Sequence, residues 1–204
     1  MIENVDWLGH ASFRIQGPPL IYIDPWRVTR EETSADVILI SHDHYDHCSP
    51  ADVDKLRGPN TVVIASLSAG KILNDAKILR PWQSVNVGRV CIRTVPAYNR
   101  YHPTEAEGLG FIISLGMYDI YYAGDTDLIP EMGKFNPDLA ILPIGGKQTM
   151  SAEDAVAAVK QMRPRWVIPS HWGTGGEGGS IIDLKTFTRG VEGLTEVVMP
   201  ERVR

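Results

Sequence analysis

HDHYDH, running from His42 to His47, decides the reading of this chain, and the apolar run Val37-Ile38-Leu39-Ile40 leads straight into it. Three of the six histidines fall in that window, with Asp43 and Asp46 among them. Packed imidazoles and carboxylates are costly to bury, and like ionisations repel. A divalent metal reverses that argument, because neutral imidazole nitrogen and aspartate oxygen are good ligands for zinc and its neighbours. In a tight loop His42 and His44 can face one point, and the adjacent Asp46 and His47 a second, which suggests two ions. A solvated polar loop is the bland alternative. The two readings separate on whether other His and Asp residues stand at comparable strand ends.

Length and composition narrow the classes. A chain of 204 residues supports one sizeable core, and 43% hydrophobic content is ordinary for a globular protein. We read residues 1–204 as a single domain, since no linker, repeat or low-complexity tract divides them. The net charge of −5 and the lack of a long Lys/Arg run make a nucleic-acid backbone an unlikely partner. MIENVDWLGH has neither a basic start nor an apolar signal core, and no apolar run approaches the roughly 20 residues that span a bilayer. Cys48 and Cys91 form no metal-binding spacing, and free thiols fit a reducing compartment. A cytoplasmic location without membrane contact is therefore expected, and a homo-oligomer stays open.

The apolar runs predict strands at 5–15 with a break at Gly9, at 20–23, 36–40 and 61–65, and a short one at 78–79. Hairpins are predicted around Gly88 and Gly116, and further strands at 139–144, 166–169 and 196–199. Ser49-Pro50-Ala51-Asp52 reads as a helix start, stopped by Gly58-Pro59. A short helix is expected at 68–74. Ser151, Glu153 and Asp154 open the clearest helix, with Ala155, Val156, Val159 and Met162 on one face. Another is expected at 182–188. The polar stretches 26–35 and 98–107 read as loops, and the five glycines between Trp172 and Ser180 as a mobile segment, either a lid or a connector.

Asp24, His42, Asp125 and His171 each stand just after an apolar, strand-like run. Layered α/β folds commonly build sites at the carboxyl ends of strands. Residues 20–171 are thereby expected to converge on one edge, which favours the metal reading over the solvated loop.

With these residues in place, the sequence resembles the metallo-β-lactamase superfamily. The resemblance rests on IYIDP with Asp24, SHDHYDH with His42, His44, Asp46 and His47, YYAGDTD with Asp125, and IPSHWG with His171. GHASF near the start and LPIGGKQTM resemble one branch, small cytosolic metal-dependent hydrolases related to the ascorbate-6-phosphate lactonases. The resemblance implies an α/β fold, a four-layered αββα sandwich of two mixed β-sheets flanked by helices. It implies that His42, His44 and a third histidine hold one ion, that Asp46, His47 and His171 hold the other, and that Asp125 bridges them. The family usually places that third histidine soon after the strand ending here in Val95-Pro96-Ala97, where this chain has Tyr98-Asn99. We take His102 for it by reach. Asn99 is the rival, and an incomplete first site is the remaining alternative.

Two divalent ions roughly 3.5–4 Å apart can lower the pKa of a shared water to about 7. Asp46 could orient the resulting nucleophile, and Asp46 and His102 are the residues we count as catalytic. Asp24 is expected to orient a ligand histidine by taking its free N–H, or else merely to end a strand before Pro25. His10, a lone histidine after glycine, is either a hydrogen-bonded structural residue or a group facing the site. Lys147 could meet a phosphate or carboxylate, or be a solvated lysine. The nitrogen and oxygen donor set makes zinc the default, with manganese or iron compatible. The superfamily's di-iron oxidoreductases carry an acidic residue where this chain has His44, which argues against oxygen chemistry.

The leading function is hydrolysis of a small ester, lactone or phosphodiester, on a small-molecule substrate that is anionic if Lys147 meets it. A nuclease would use the same metals, but the acidic balance and short chain disfavour it. A metal-dependent binding or sensing protein without efficient turnover is the reading from another class.

Overall fold

The computed structural model describes residues 2–29, 33–173, 178–201 and 203. One sheet has six strands in chain order: β1 (Val5–Gly9), β2 (Ser12–Ile15), β3 (Ile21–Ile23), β4 (Val37–Ile40), β5 (Val62–Ala65) and β6 (Lys77–Ile78). Its first three strands form an antiparallel meander, and β3 through β6 run parallel. The second sheet has seven: β7 (Ser84–Val87), β8 (Val90–Pro96), β9 (Leu109–Leu115), β10 (Tyr118–Tyr122), β11 (Leu139–Pro143), β12 (Trp166–Ser170) and β13 (Glu196–Val197). Here β7 to β10 are antiparallel and β10 to β13 parallel. Both sheets are mixed.

Three helices cover the outer faces: α1 (Pro50–Leu56), α2 (Ala152–Met162) and α3 (Ile181–Gly190). The layering explains why the central strands read as continuous apolar runs instead of alternating. Val37 and Leu39 of β4 pack in the core between the sheets, while Ile38 and Ile40 pack with Val53 and Leu56 of α1. Leu139 and Ile141 of β11 likewise point into the central core, and Ala140 and Leu142 pack with Ala155, Val159 and Met162 of α2. Strands buried on both faces have no solvent side to mark with polar residues. The result is the αββα sandwich expected from the sequence.

Local chemistry sets the helix ends. Ser49 caps α1 by accepting from the Asp52 backbone N–H, and Pro50 occupies the first turn. Asp52 does more than complement that helix end. It is buried, and its carboxylate accepts from the backbone N–H groups of Arg27 and Val28 and from Lys55, which pins the 26–28 segment. Ser151 and Asp154 form a reciprocal capping box on α2. Ser180 and Asp183 form another on α3, which therefore begins one residue before the expected start and extends two past the expected end. The expected helix at 68–74 is a single 3-10 turn at Ala69–Lys71, and 3-10 turns that no periodicity announced lie at Pro130–Lys134 and Thr104–Ala106. Of the loops expected around the site, residues 30–32, and residues 174–177 of the segment read as a lid or connector, lie outside the described residues. Among the described residues, no helix is long and apolar enough to cross a membrane.

Strand direction places the site. Asp24 follows β3, His42 follows β4, Asp125 follows β10 and His171 follows β12. The turn holding His10 joins β1 to β2. Since β1 and β3 both run antiparallel to β2, that turn lies at the same end of the sheet as Asp24.

Candidate metal centre

Four of the nine non-glycine residues at positive φ among the described residues meet where these elements converge. His10, Asp24 and His171 have φ of 54°, 43° and 57°, and Lys147 has 61°. Side chains with a Cβ rarely adopt this left-handed region, and such strain persists only where the surroundings over-determine it. Two glycines make room for His171. A Cβ on Gly178 would lie 2.4 Å from the His171 carbonyl oxygen, and one on Gly145 would lie 2.7 Å from it.

Asp24 is the hub of the supporting layer. One carboxylate oxygen accepts from the Ser41 backbone N–H at 2.7 Å. The other takes the Ser41 hydroxyl, His47 Nδ1–H at 2.8 Å and the Tyr122 hydroxyl at 2.7 Å. With those contacts filled, Asp24 orients His47 instead of merely closing a strand. The Ser41 hydroxyl donates to Asp24, so it accepts from His42 Nδ1 at 2.9 Å. Both histidines thus keep their Nε2 lone pairs for something else.

Among the described residues those lone pairs meet no donor. His42 Nε2, His47 Nε2 and Asp125 Oδ1 are buried without a hydrogen-bond partner among the described residues. His47 Nε2 lies 3.3 Å from Asp125 Oδ1, and His171 Nε2 lies 3.3 Å from Asp125 Oδ2. Facing lone pairs repel unless a proton or a metal ion lies between them. Two ligands at 2.0–2.1 Å from a tetrahedral zinc stand roughly 3.3 Å apart. The donor set and its spacing therefore fit a metal.

The possible ligand atoms fall into two sets that could each hold an ion. One is His42, His44 and Asp125; the other is His10, Asp46, His47 and His171; within each, the atoms lie within 4.8 Å of one another. A third grouping, Asp24 with His42 and His47, meets the same distance, but Asp24 is already committed to its donors. His102 stands beside the first set, its ring centroid 4.2 Å from that of His44 and 5.2 Å from that of His42. Its Nε2 lies 3.5 Å from Asp43, and its Nδ1 is buried without a hydrogen-bond partner among the described residues.

The Asn99 amide is engaged by backbone groups. Its amide oxygen accepts from the backbone N–H groups of Tyr101 and His102, both at 2.8 Å. Its amide nitrogen donates to the carbonyls of Asp125 at 3.3 Å and Gln148 at 2.6 Å. Its hydrogen-bonding capacity is used, and it ties together the loops of His102, Asp125 and Gln148. His10 is fully buried and faces the site, with Nε2 2.9 Å from Asp46 Oδ2 and its ring 4.0 Å from that of His171.

The electrostatics follow the geometry. Burial pushes the His42 and His44 imidazoles below their ordinary value, which favours the neutral form that ligates metal. Burial alone would raise the Asp125 carboxyl, yet the His171 and His47 side chains hold it well below the usual range. Burial opposes ionisation of Asp46 too, and the His10 hydrogen bond and the charge of His47 overcome it. For His47, burial is outweighed by Asp125 and Asp24, which hold the imidazole well above its ordinary value. Cys48, next in the chain, is buried in the apolar cluster under α1, and burial lifts its thiol to about 12.

A cavity of about 370 Å³ opens over these groups, lined by His44, Asp46, Asp125 and His171 together with Tyr45 and Lys147. That volume suits a small molecule. Ser41 and Tyr122 hold Asp24, and Tyr45 lines the cavity, placements that the sequence reading did not assign. Ser41 sits inside SHDH and reaches Asp24 because β3 and β4 are parallel neighbours, whereas only the docking of the two sheets brings Tyr122, inside YYAGD, to it.

The model of the beta-lactamase superfamily domain matches residues 4–171. A UPF0173 metal-dependent hydrolase of Pelotomaculum thermopropionicum is 36% identical over 198 residues, covering 84% of this chain and 85% of the relative. Another, from Thermococcus kodakarensis, is 34% identical over 194 residues, covering 84% and 85%. Among solved structures, a metallo hydrolase from the archaeon Ignicoccus hospitalis superposes with a TM-score of 0.80 at 24% identity, covering 98% of this chain and 95% of that one.

Proposed function

We propose a function from one premise: the chain belongs to the metallo-β-lactamase superfamily, within the UPF0173 metal-dependent hydrolases. On that footing it is a metal-dependent hydrolase that cleaves a small ester, lactone or phosphodiester. The observation that carries this reading is the convergence of His42 Nε2, His47 Nε2 and Asp125 Oδ1, buried and without hydrogen-bond partners among the described residues, beneath a cavity of small-molecule size.

In this proposal His42, His44 and His102 hold one divalent ion, Asp46, His47 and His171 hold a second, and Asp125 serves both. Zinc is the default for the set, with manganese or iron compatible. Bound there, the ions would supply a water acidic enough to give hydroxide near neutral pH and would polarise the bond under attack. The chain's own part is to orient. Asp24 holds His47 by its Nδ1–H, Ser41 does the same for His42, and His10 holds one oxygen of Asp46. A carboxylate oxygen carries two lone pairs, so Asp46 can ligate an ion and still accept a hydrogen bond that aims the nucleophile. The two unpaired cysteines and the lack of a spanning helix among the described residues are compatible with a cytoplasmic enzyme.

The test is a metal assay beside a screen of ester, lactone and phosphodiester substrates, on the wild type and on Asp125→Ala and His171→Ala. Bound transition metal with turnover in the wild type, and loss of both in the variants with the fold intact, is the expected result. Full metal occupancy with no turnover on any substrate would favour a binding or sensing protein instead. The acidic net charge and the small cavity speak against a nuclease.

A further inference from the structure

Among the residues lining the cavity, Lys147 is the single Lys or Arg, and among the described residues it forms no ion pair. It is exposed, and it sits at φ 61° directly after Gly146 at φ 65°. Two successive left-handed residues make a tight reversal in which glycine, asparagine or aspartate would be at ease. A lysine is not the residue this backbone asks for. Arg27, Glu107 and Arg163 adopt similar φ elsewhere, so the backbone alone does not single Lys147 out; what does is that its side chain lines the cavity.

The turn is also held rigidly. Gly146 N–H donates to the Met150 carbonyl at 2.9 Å and Thr149 N–H to the Gly146 carbonyl at 3.1 Å. Met150 N–H donates to the Thr126 carbonyl at 2.9 Å, and Asn99 donates to both the Gln148 and the Asp125 carbonyls. The ammonium thus projects from a frame bolted to the loop of Asp125. Tyr45, which directly follows His44, offers an aromatic surface to the same cavity; it is 63% exposed, with its ring 6.0 Å from that of Trp26. With divalent ions in place, their charge would more than offset the carboxylates of Asp46 and Asp125. A cavity of that kind attracts anions and offers a separate cation for a second negative group.

We infer that Lys147 determines specificity: the substrate carries an anionic group, carboxylate or phosphate, remote from the bond that is cleaved, and Lys147 holds it while Tyr45 flanks the body of the molecule. This inference rests on the hydrolase reading above and names the substrate class of that same site.

The experiment compares zinc-loaded wild type with Lys147→Asn and Lys147→Arg. Asparagine tolerates the left-handed turn and removes the charge, and arginine keeps the charge. Metal content and a thermal melt confirm that each variant is loaded and folded. Two para-nitrophenyl esters of equal acyl length are assayed, the neutral valerate and the carboxylate-bearing hemiglutarate. Wild type is expected to prefer the hemiglutarate by about tenfold in kcat/KM, through KM, as one charge-assisted contact warrants. Lys147→Asn should bring the two esters together, and Lys147→Arg should keep most of the preference.

A calorimetric titration with valerate, glutarate and phosphonobutyrate runs in parallel and needs no turnover. Glutarate or phosphonobutyrate binding more tightly than valerate in wild type, but not in Lys147→Asn, supports the inference, and the tighter of the two names the anion. If neither ester is cleaved, the ester arm of the hydrolase reading fails, and the titration alone decides the role of Lys147. No preference in wild type, or one that survives Lys147→Asn, overturns it.

Discussion

Asp24 accepts the Nδ1–H of His47 at 2.8 Å, and that contact decides which imidazole nitrogen is turned toward Asp125. Without it the ring could rotate or change tautomer. Asp24→Asn keeps the size of the side chain and suits the left-handed backbone at φ 43°, but it replaces one acceptor with a donor. We expect metal affinity to fall roughly 10–100-fold, the usual effect of losing such an orienting group. Competition with a chromogenic chelator measures it, and unchanged affinity would show that the contact is incidental.

Metal removal should be visible in stability. Ligand at 100 times its Kd adds about 2.7 kcal/mol, which for a chain of this size is a rise in Tm of roughly 5–10 °C. Melting curves of chelator-treated protein, with and without added zinc, manganese or ferrous iron, check this and rank the ions. Curves that superimpose for all three would contradict the metal centre.

Asn99 bonds four backbone groups in three loops. Asn99→Ala leaves the His102 and Tyr101 N–H groups without their acceptor, at a cost of about 1–3 kcal/mol each if they stay buried. Its distinctive effect should be on His102. The number of bound ions per chain is expected to fall toward one, because Asp46, His47 and His171 do not depend on this amide. Elemental analysis of the variant against wild type decides it; equal occupancy would mean that His102 is held by other means.

Two glycine substitutions separate backbone strain from site damage. Gly88 and Gly178 both have positive φ, 59° and 85°, so alanine is strained at either. At Gly88 the added Cβ meets nothing within 4 Å, whereas at Gly178 it lies 2.4 Å from the His171 carbonyl oxygen. Gly88→Ala should cost about 1 kcal/mol and retain its metal. Gly178→Ala must move His171 and should lose bound metal and turnover together. Full metal retention by Gly178→Ala would place the His171 side chain outside the centre.

Asp52 gives a pH-dependent prediction away from the metal. Burial would raise its carboxyl, but Lys55, Ser49 and the Arg27 N–H hold it below its ordinary value. The native state therefore favours the ionised form. That stability is fully present above the unfolded value of about 3.9 and is lost as pH falls through the folded value beneath it. Asp52→Asn should be less stable by about 1–2 kcal/mol at neutral pH, and the gap should close in acid. Denaturant midpoints from pH 7 down to about pH 3 follow it; a constant gap would mean that shape, and not charge, is at stake.

What could be read in advance depended on how local the cause was. Ser151 and Asp154 announce α2 because both partners of the capping box lie within one turn. Val37 to Ile40 announce a strand buried on both faces, and the polar residue after each such run marks the edge where strands deliver their loops. The contact of His10 with Asp46 spans 36 positions and exists only because β1 turns back at the same end as β3. Tyr122 reaches Asp24 across the two sheets. Asn99 looked like a ligand because of its place after β8, and only the structure shows its engagement by backbone groups. The Pro130–Lys134 turn is too short to carry a periodicity.

The four contacts to Asp24 come from both halves of the sandwich: Ser41 and His47 from the six-stranded sheet, and Tyr122 from the seven-stranded one. A single carboxylate is therefore a rivet between the halves as well as a rest for the imidazole above it. Any slippage of one half against the other is transmitted first to the groups that do the chemistry, so substitutions deep in the interface, far from any reacting atom, should be felt as lost activity before they are felt as unfolding.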